Sequence, residues 1–188
     1  MKGRVTSRMT ICVYGASSDA IREEYKAAGE ALGYSMARRG HTMIFGGGAS
    51  GLMGAAARGI VQGGGRCVGI VPSFFNVDGV LFDKCTELIY TETMRERKRM
   101  MEERSDAFVM TPGGIGTFDE FFEIFTLRYL NVHQKPIAIF NPAGCFDGLY
   151  ALLEKMADEG FLQREALEMI PMFDEADALL EYLEAEYK

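Results

Sequence analysis

Histidine is scarce in this chain: His41 and His133 are the only two, and they stand far apart. The four cysteines, Cys12, Cys67, Cys85 and Cys145, are scattered and form no C-x-x-C pair. No zinc pattern can be built from these residues. Cys12 and Cys67 fall inside apolar runs, so the cysteines read as reduced, mostly buried thiols, which favours the cytoplasm. Basic charge is also short. Twenty Lys and Arg stand against 27 Asp and Glu, a net charge of −7. So acidic a chain has no general attraction for nucleic acid, and an anionic small ligand would need a local positive cluster. No charge-free apolar stretch reaches membrane-spanning length; the uncharged segment from His41 to Ala57 is broken by five glycines. The apolar run Ile11–Tyr14 that follows Lys2, Arg4 and Arg8 is too short for a signal peptide. No G-K-[S/T] follows any glycine run, which argues against a P-loop NTPase.

What remains is an ordinary soluble composition, 48% hydrophobic and 25% charged. The 188 residues fit one domain, 1–188, able to bury roughly 70% of its unfolded surface. Apolar runs alternate with helical patterns. The strands expected are Thr10–Tyr14, Thr42–Phe45, Cys67–Val71, Glu87–Tyr90, Ala107–Met110 and Pro136–Phe140. The helices expected are Ala20–Arg39, Leu52–Val61, Met94–Arg104, Phe118–Leu130, Phe146–Asp158 and Glu175–Tyr187. This alternation predicts an α/β fold: a doubly wound parallel sheet with helices on both faces. The longest irregular piece is Pro72–Lys84, containing Asn76, Asp78 and Gly79, which reads as a lid or a ligand-contacting loop.

Ligands of such sheets bind beyond the carboxyl ends of the strands. Three loops of suitable composition leave those ends: Gly15-Ala16-Ser17-Ser18, Gly46-Gly47-Gly48-Ala49-Ser50-Gly51, and Pro112–Thr117. The second satisfies G-x-G-x-x-G. A dinucleotide site also wants an acid about 20 residues on, where the chain reads Gly69-Ile70-Val71-Pro72-Ser73. Those glycines therefore serve either close approach to a nucleotide or tight packing. The third loop, Pro112-Gly113-Gly114-Ile115-Gly116-Thr117, runs from an apolar strand into a helix, a place for a phosphate. Glu120 follows three residues after Thr117, setting an acid beside that phosphate. The same spacing also fits a capping box with Thr117 as the cap.

Met94-Arg95-Glu96-Arg97-Lys98-Arg99-Met100-Met101 is the second distinctive segment. On a helix, Met94, Arg97, Lys98 and Met101 share a face. Methionines at its ends turn that face inward, and buried cations must meet an anion. The alternative is a solvated charge run partnered by Glu96, Glu102 and Glu103. His41 and His133 read as structural, Asp147 as an N-terminal helix acid, and the methionines as core and gap fillers.

With P-G-G-x-G-T-x-x-E at Pro112–Glu120 and M-x-x-R-K at Met94–Lys98, the chain resembles the Lonely Guy (LOG) family of cytokinin riboside 5′-monophosphate phosphoribohydrolases. Many of its members carry a lysine decarboxylase label, which no lysine in a recognisable pyridoxal phosphate context supports here. The resemblance implies a Rossmann-like fold, a homodimer, and hydrolysis of the N-glycosidic bond of AMP or an N6-substituted relative. It makes Arg97 and Glu120 the catalytic pair. Substrate would be held by Ser17, Gly47, Gly48, Met94, Lys98, Gly113, Gly114, Gly116, Thr117 and Thr126, with no metal or cofactor. Arg95 stands where the family usually has histidine, off the Arg97/Lys98 face. Two rivals differ in kind: a non-catalytic carrier of a nucleotide or molybdenum cofactor on the same fold, and a deoxyribosyltransferase-like enzyme.

Overall fold

The computed structural model describes residues 8–75 and 79–187; Lys2, Arg4, Asn76 and Asp78 lie outside the described residues. Its strands are β1 (Thr10–Tyr14), β2 (Thr42–Phe45), β3 (Arg66–Pro72), β4 (Glu87–Thr91), β5 (Ala107–Met110), β6 (Ile137–Phe140) and β7 (Met172–Phe173). Its helices are α1 (Glu23–Arg38), α2 (Gly51–Gln62), α3 (Met94–Arg104), α4 (Ile115–Tyr129), α5 (Asp147–Asp158), α6 (Glu165–Glu168) and α7 (Ala176–Glu186). All seven strands pair in parallel, in the order β4-β3-β2-β1-β5-β6-β7. This is the doubly wound, Rossmann-like arrangement. The chain winds outward from β1 to β4, then returns to lay β5 on the other side of β1. The switch point thus lies between β1 and β5, where a crevice opens past the strand ends.

Alternation along the strands builds two cores. Ile11, Val13, Met43, Phe45, Ala107 and Val109 point to one face and meet Leu32 and Met36 of α1, Ala56 and Ile60 of α2, and Leu179 and Leu183 of α7. Cys12, Tyr14, Ile44, Phe108 and Met110 point to the other and meet Met101 of α3, Phe121, Ile124 and Phe125 of α4, and Leu153 of α5. A strand covered on both faces is apolar throughout, as these are. Each fully buried large side chain, such as Phe121, contributes roughly 1.5–3 kcal/mol.

The six expected strands and six expected helices are all present, with ends shifted by up to three residues. Two elements go beyond that reading. The four-residue α6 and two-residue β7 are too short to carry a period. The third difference bears on chemistry. Helix α4 begins at Ile115, three residues before the expected start, with extended Gly114 as its N-cap and no side-chain cap bond. Thr117 therefore lies inside the first turn and does not cap it. The capping pair of this chain is elsewhere. Thr93 accepts the N–H of Glu96 at 3.1 Å, and Glu96 reaches back to the N–H of Glu92 at 2.8 Å, opening α3.

Candidate active site

Backbone bonds stitch the three loops together at the switch point. The N–H of Ala16 donates to Pro112 O at 3.0 Å, and that of Met53 to Ala16 O at 3.1 Å. Thr111 Oγ1 donates to Tyr14 O at 2.8 Å. A short antiparallel contact brings in the irregular segment: Ala49 N–H donates to Val80 O and Phe82 N–H to Gly47 O, both at 2.9 Å. The result is a cavity of about 350 Å³ lined by Ser17, Gly46, Gly48, Met53, Val71, Pro72, Phe75, Val80, Leu81, Arg97, Gly114, Gly116, Thr117 and Glu120, with Gly15 and Ala16. That size suits a small-molecule ligand.

Arg97 and Glu120 meet inside it. Arg97 is buried in α3, and its Nε donates to Ile70 O of β3 at 2.9 Å. Its Nη1 donates to Glu120 Oε1 of α4. Both side chains are about one-tenth exposed. Burial raises the Glu120 carboxyl above its ordinary range, and the neighbouring Arg97 guanidinium opposes that rise. A carboxylate so placed can serve as a base or stabilise a developing cation.

The opening turn of α4 forms another wall. The first helical bond runs from Phe118 N–H to Gly114 O, so the N–H groups of Ile115, Gly116 and Thr117 have no helical acceptor. Such groups with the helix dipole favour an anion. The start of α2 differs, because Asp19 Oδ1 already accepts the N–H of Gly51 at 2.8 Å. That contact holds the Asp19 carboxyl below its ordinary range.

Of the expected site residues, Ser17, Gly48, Arg97, Gly114, Gly116, Thr117 and Glu120 line the cavity; Gly47, Met94, Lys98, Gly113 and Thr126 do not. Lys98 turns to Asp119 at 3.2 Å and to Glu123, so its charge is answered by α4 carboxylates. Those partners, Glu123 first, hold its ammonium above its ordinary value. Met94 is exposed, contrary to the inward face expected of it. Gly113 and Gly47 serve the loops from behind, the first packed on Thr117 and the second on Val71. Thr126 is exposed and donates to its own helix at Phe122 O, 2.6 Å away. Arg95 is exposed as well. The apolar wall of Met53, Val71, Phe75, Val80 and Leu81 was not singled out from the sequence; only the irregular composition of Pro72–Lys84 signalled part of it.

A family model described as "Possible lysine decarboxylase" matches residues 53–183. The cytokinin riboside 5′-monophosphate phosphoribohydrolase of Mycobacterium tuberculosis is 42% identical over 176 residues, spanning 93% of this chain and 94% of the relative. That of Mycobacterium marinum is 40% identical, spanning 93% and 92%. One from Arabidopsis thaliana is 34% identical, spanning 93% and 82%. Among solved structures, the molybdenum cofactor binding protein of Rippkaea orientalis superposes with a TM-score of 0.73 at 18% identity, covering 95% of this chain and 97% of that one. The molybdenum cofactor carrier protein of Chlamydomonas reinhardtii gives 0.70 at 17%, covering 96% and 98%. Identity that low speaks to fold alone.

Proposed function

The chain belongs to the family of cytokinin riboside 5′-monophosphate phosphoribohydrolases, and from that premise we propose that Arg97 and Glu120 carry its reaction over the opening turn of α4. The enzyme is an N-glycosyl hydrolase of adenosine 5′-monophosphates. Water and nucleotide yield free base and ribose 5-phosphate. The C1′–N9 bond breaks, its electron pair leaves with the base, and the oxygen of water bonds to C1′.

One observation carries the assignment of residues: the Arg97–Glu120 pair lines the same cavity as the unbonded N–H groups of α4. The 5′-phosphate rests on Gly114–Thr117. Ribose then lies beside Glu120, whose carboxylate stabilises positive charge at C1′ or takes a proton from the attacking water. Arg97 orients that carboxylate, which fits its double anchorage to Ile70 and Glu120. The apolar wall of Met53, Val71, Phe75 and Val80 supports an apolar N6 substituent as the preferred one. Among the described residues no lysine lines the cavity, so the decarboxylase description of the family model finds no Schiff-base residue here.

Exposed Phe75, Val80 and Ile115 support a homodimer that covers this apolar surface, and the four free cysteines support a cytoplasmic setting. Sedimentation of the purified chain tests the dimer. Incubation with AMP and with N6-isopentenyl-AMP tests the activity, read as free base and ribose 5-phosphate. Tight binding without release of base would instead favour the carrier reading that the structural neighbours' names raise.

A further inference from the structure

Two members of the glycine triplet after β2, Gly46 and Gly48, have no backbone reason to be glycine, and of these only Gly46 would crowd a neighbour if it carried a side chain. Gly47 has φ +78°, a region that side chains rarely adopt, and a Cβ there would stand 2.4 Å from Val71 Cγ2. Gly46 is not among the positive-φ glycines. A Cβ built on Gly46 meets one hard obstacle, Nη2 of Arg97 at 2.5 Å; the next atom, Met53 Sδ, lies at an ordinary 3.6 Å. The obstacle is the tip of a flexible side chain, so the fold can yield by moving the guanidinium. The guanidinium cannot move without loss, however. Its Nε is held by Ile70 O at 2.9 Å and its Nη1 by Glu120.

We propose that Gly46 is a positioning residue of the hydrolytic reaction: its missing side chain is the slot in which Nη2 of Arg97 lies, which aims Nη1 at Glu120. The inference rests on the reading of Arg97 and Glu120 as the catalytic pair and adds a third residue, on a different strand end, that fixes their geometry. Ile70, Gly46 and Glu120 then hold the guanidinium from three sides, from β3, β2 and α4.

The test is Gly46→Ala in the full chain, assayed by base release from AMP. Misplacement of a catalytic group by about 1 Å costs on the order of 10²-fold, and that loss is expected in kcat. KM should change by less than about threefold, because the phosphate cradle on α4 is untouched. The melting temperature should move by less than about 4 °C. The acidic limb of the pH–kcat profile should shift to higher pH, since Arg97 no longer holds the Glu120 carboxyl down. In an Arg97→Ala background, adding Gly46→Ala should change neither kcat nor melting temperature. Normal kcat and pH profile in Gly46→Ala, or an equal loss with and without Arg97, overturns the proposal. Should Gly46→Ala fail to fold, the Arg97→Ala background decides. Folding restored there supports the slot, and failure in both backgrounds refutes it. Normal turnover in Arg97→Ala alone overturns the catalytic reading. Normal turnover in Gly46→Ala beside an impaired Arg97→Ala removes only the positioning role.

Discussion

The carboxylate of Asp19 accepts the N–H of Gly51 at 2.8 Å, at the first residue of α2. Helices α2 and α4 both start at the edge of the sheet where the ligand crevice opens, and only α2 has its anion built in. Helix α4 has no acid in its first turn. The G-x-G-x-x-G segment therefore ends in a helix start whose first N–H is already bonded, which favours the proposed placement of the phosphate at α4. Replacing Asp19 by Ala is expected to lower the melting temperature and leave KM for the nucleotide unchanged. A large rise in KM with unchanged stability would place the phosphate at α2 instead.

The three glycines of Pro112–Thr117 should separate by role. A Cβ on Gly113 would stand 2.1 Å from Thr117 Oγ1 and 3.0 Å from Ala16 N, whereas on Gly114 or Gly116 it would meet nothing within 4 Å. Gly113→Ala should thus destabilise the fold. Gly116→Ala should gain up to about 1 kcal/mol from helix propensity, yet raise KM, because the space the methyl enters borders the cavity. Thermal melts and steady-state kinetics on the two variants check this. A fully active Gly116→Ala would move the substrate away from this turn.

The sheet was legible because its central strands β1, β2, β5 and β6 are short apolar runs buried on both faces, as parallel strands covered by helices are. The site was half legible. Arg97, Glu120 and the α4 turn announce themselves by residue type and spacing. Lys98 could not be read, because nothing local says that Asp119 and Glu123 of another helix will claim its ammonium. The true capping pair, Thr93 with Glu96, was hidden for the same reason. Thr93-x-x-Glu96 and Thr117-x-x-Glu120 have equal spacing, but α4 starts at Ile115, which puts Thr117 inside its first turn, and Glu120 turns to Arg97 instead. The wall made by Val80 and Leu81 depends on a long-range bridge to Gly48 that no period in the sequence encodes.

Arg97 and Glu120 should differ in what their loss does to stability. The raised carboxyl of Glu120 means that its ionised form is disfavoured by folding. Its contribution is full below the unfolded value, near 4.3, and is lost as pH rises through the higher folded value. Glu120→Gln keeps an acceptor for Arg97 Nη1, so it should cost less stability at pH 7 than loss of the guanidinium does, while kcat falls roughly 10²–10⁴-fold. Arg97→Met strands a buried carboxylate, a change costing up to about 3–5 kcal/mol, less whatever protonation of Glu120 recovers. Adding Glu120→Leu to Arg97→Met should restore part of that loss. Chemical denaturation of these three variants beside the parent chain measures the asymmetry, and equal losses from Glu120→Gln and Arg97→Met would contradict it.

Acid should loosen the C-terminal helix through His41. The ring is fully buried between β1 and α7, with Nδ1 accepting the N–H of Met9 at 3.2 Å and Nε2 facing Glu184 Oε1 at 3.0 Å. Because Nδ1 is an acceptor, the neutral ring carries its proton on Nε2 and donates it to Glu184. A second proton would have to sit on Nδ1, where it opposes the Met9 N–H. Burial accordingly holds His41 below its ordinary value, with the Glu184 carboxylate working against that trend. The unfolded chain, titrating near 6.5, then binds more protons than the folded one. Stability from this residue is present above pH 6.5 and is lost as pH falls toward the lower folded value, with a slope of at most about 1.4 kcal/mol per pH unit. The same Glu184 also binds Arg39 at 3.2 Å, and Arg39 holds Asp177 of α7 at 3.1 Å, so loss of the His41 contact weakens the whole seat of that helix. The share due to His41, read as the difference in urea stability between the wild-type chain and His41→Gln, should fall from pH 7 to 5, with amides of α7 exchanging first. His41→Gln, which cannot take up a proton, should flatten the profile in that range. An unchanged slope in that variant would assign the acid sensitivity to another group.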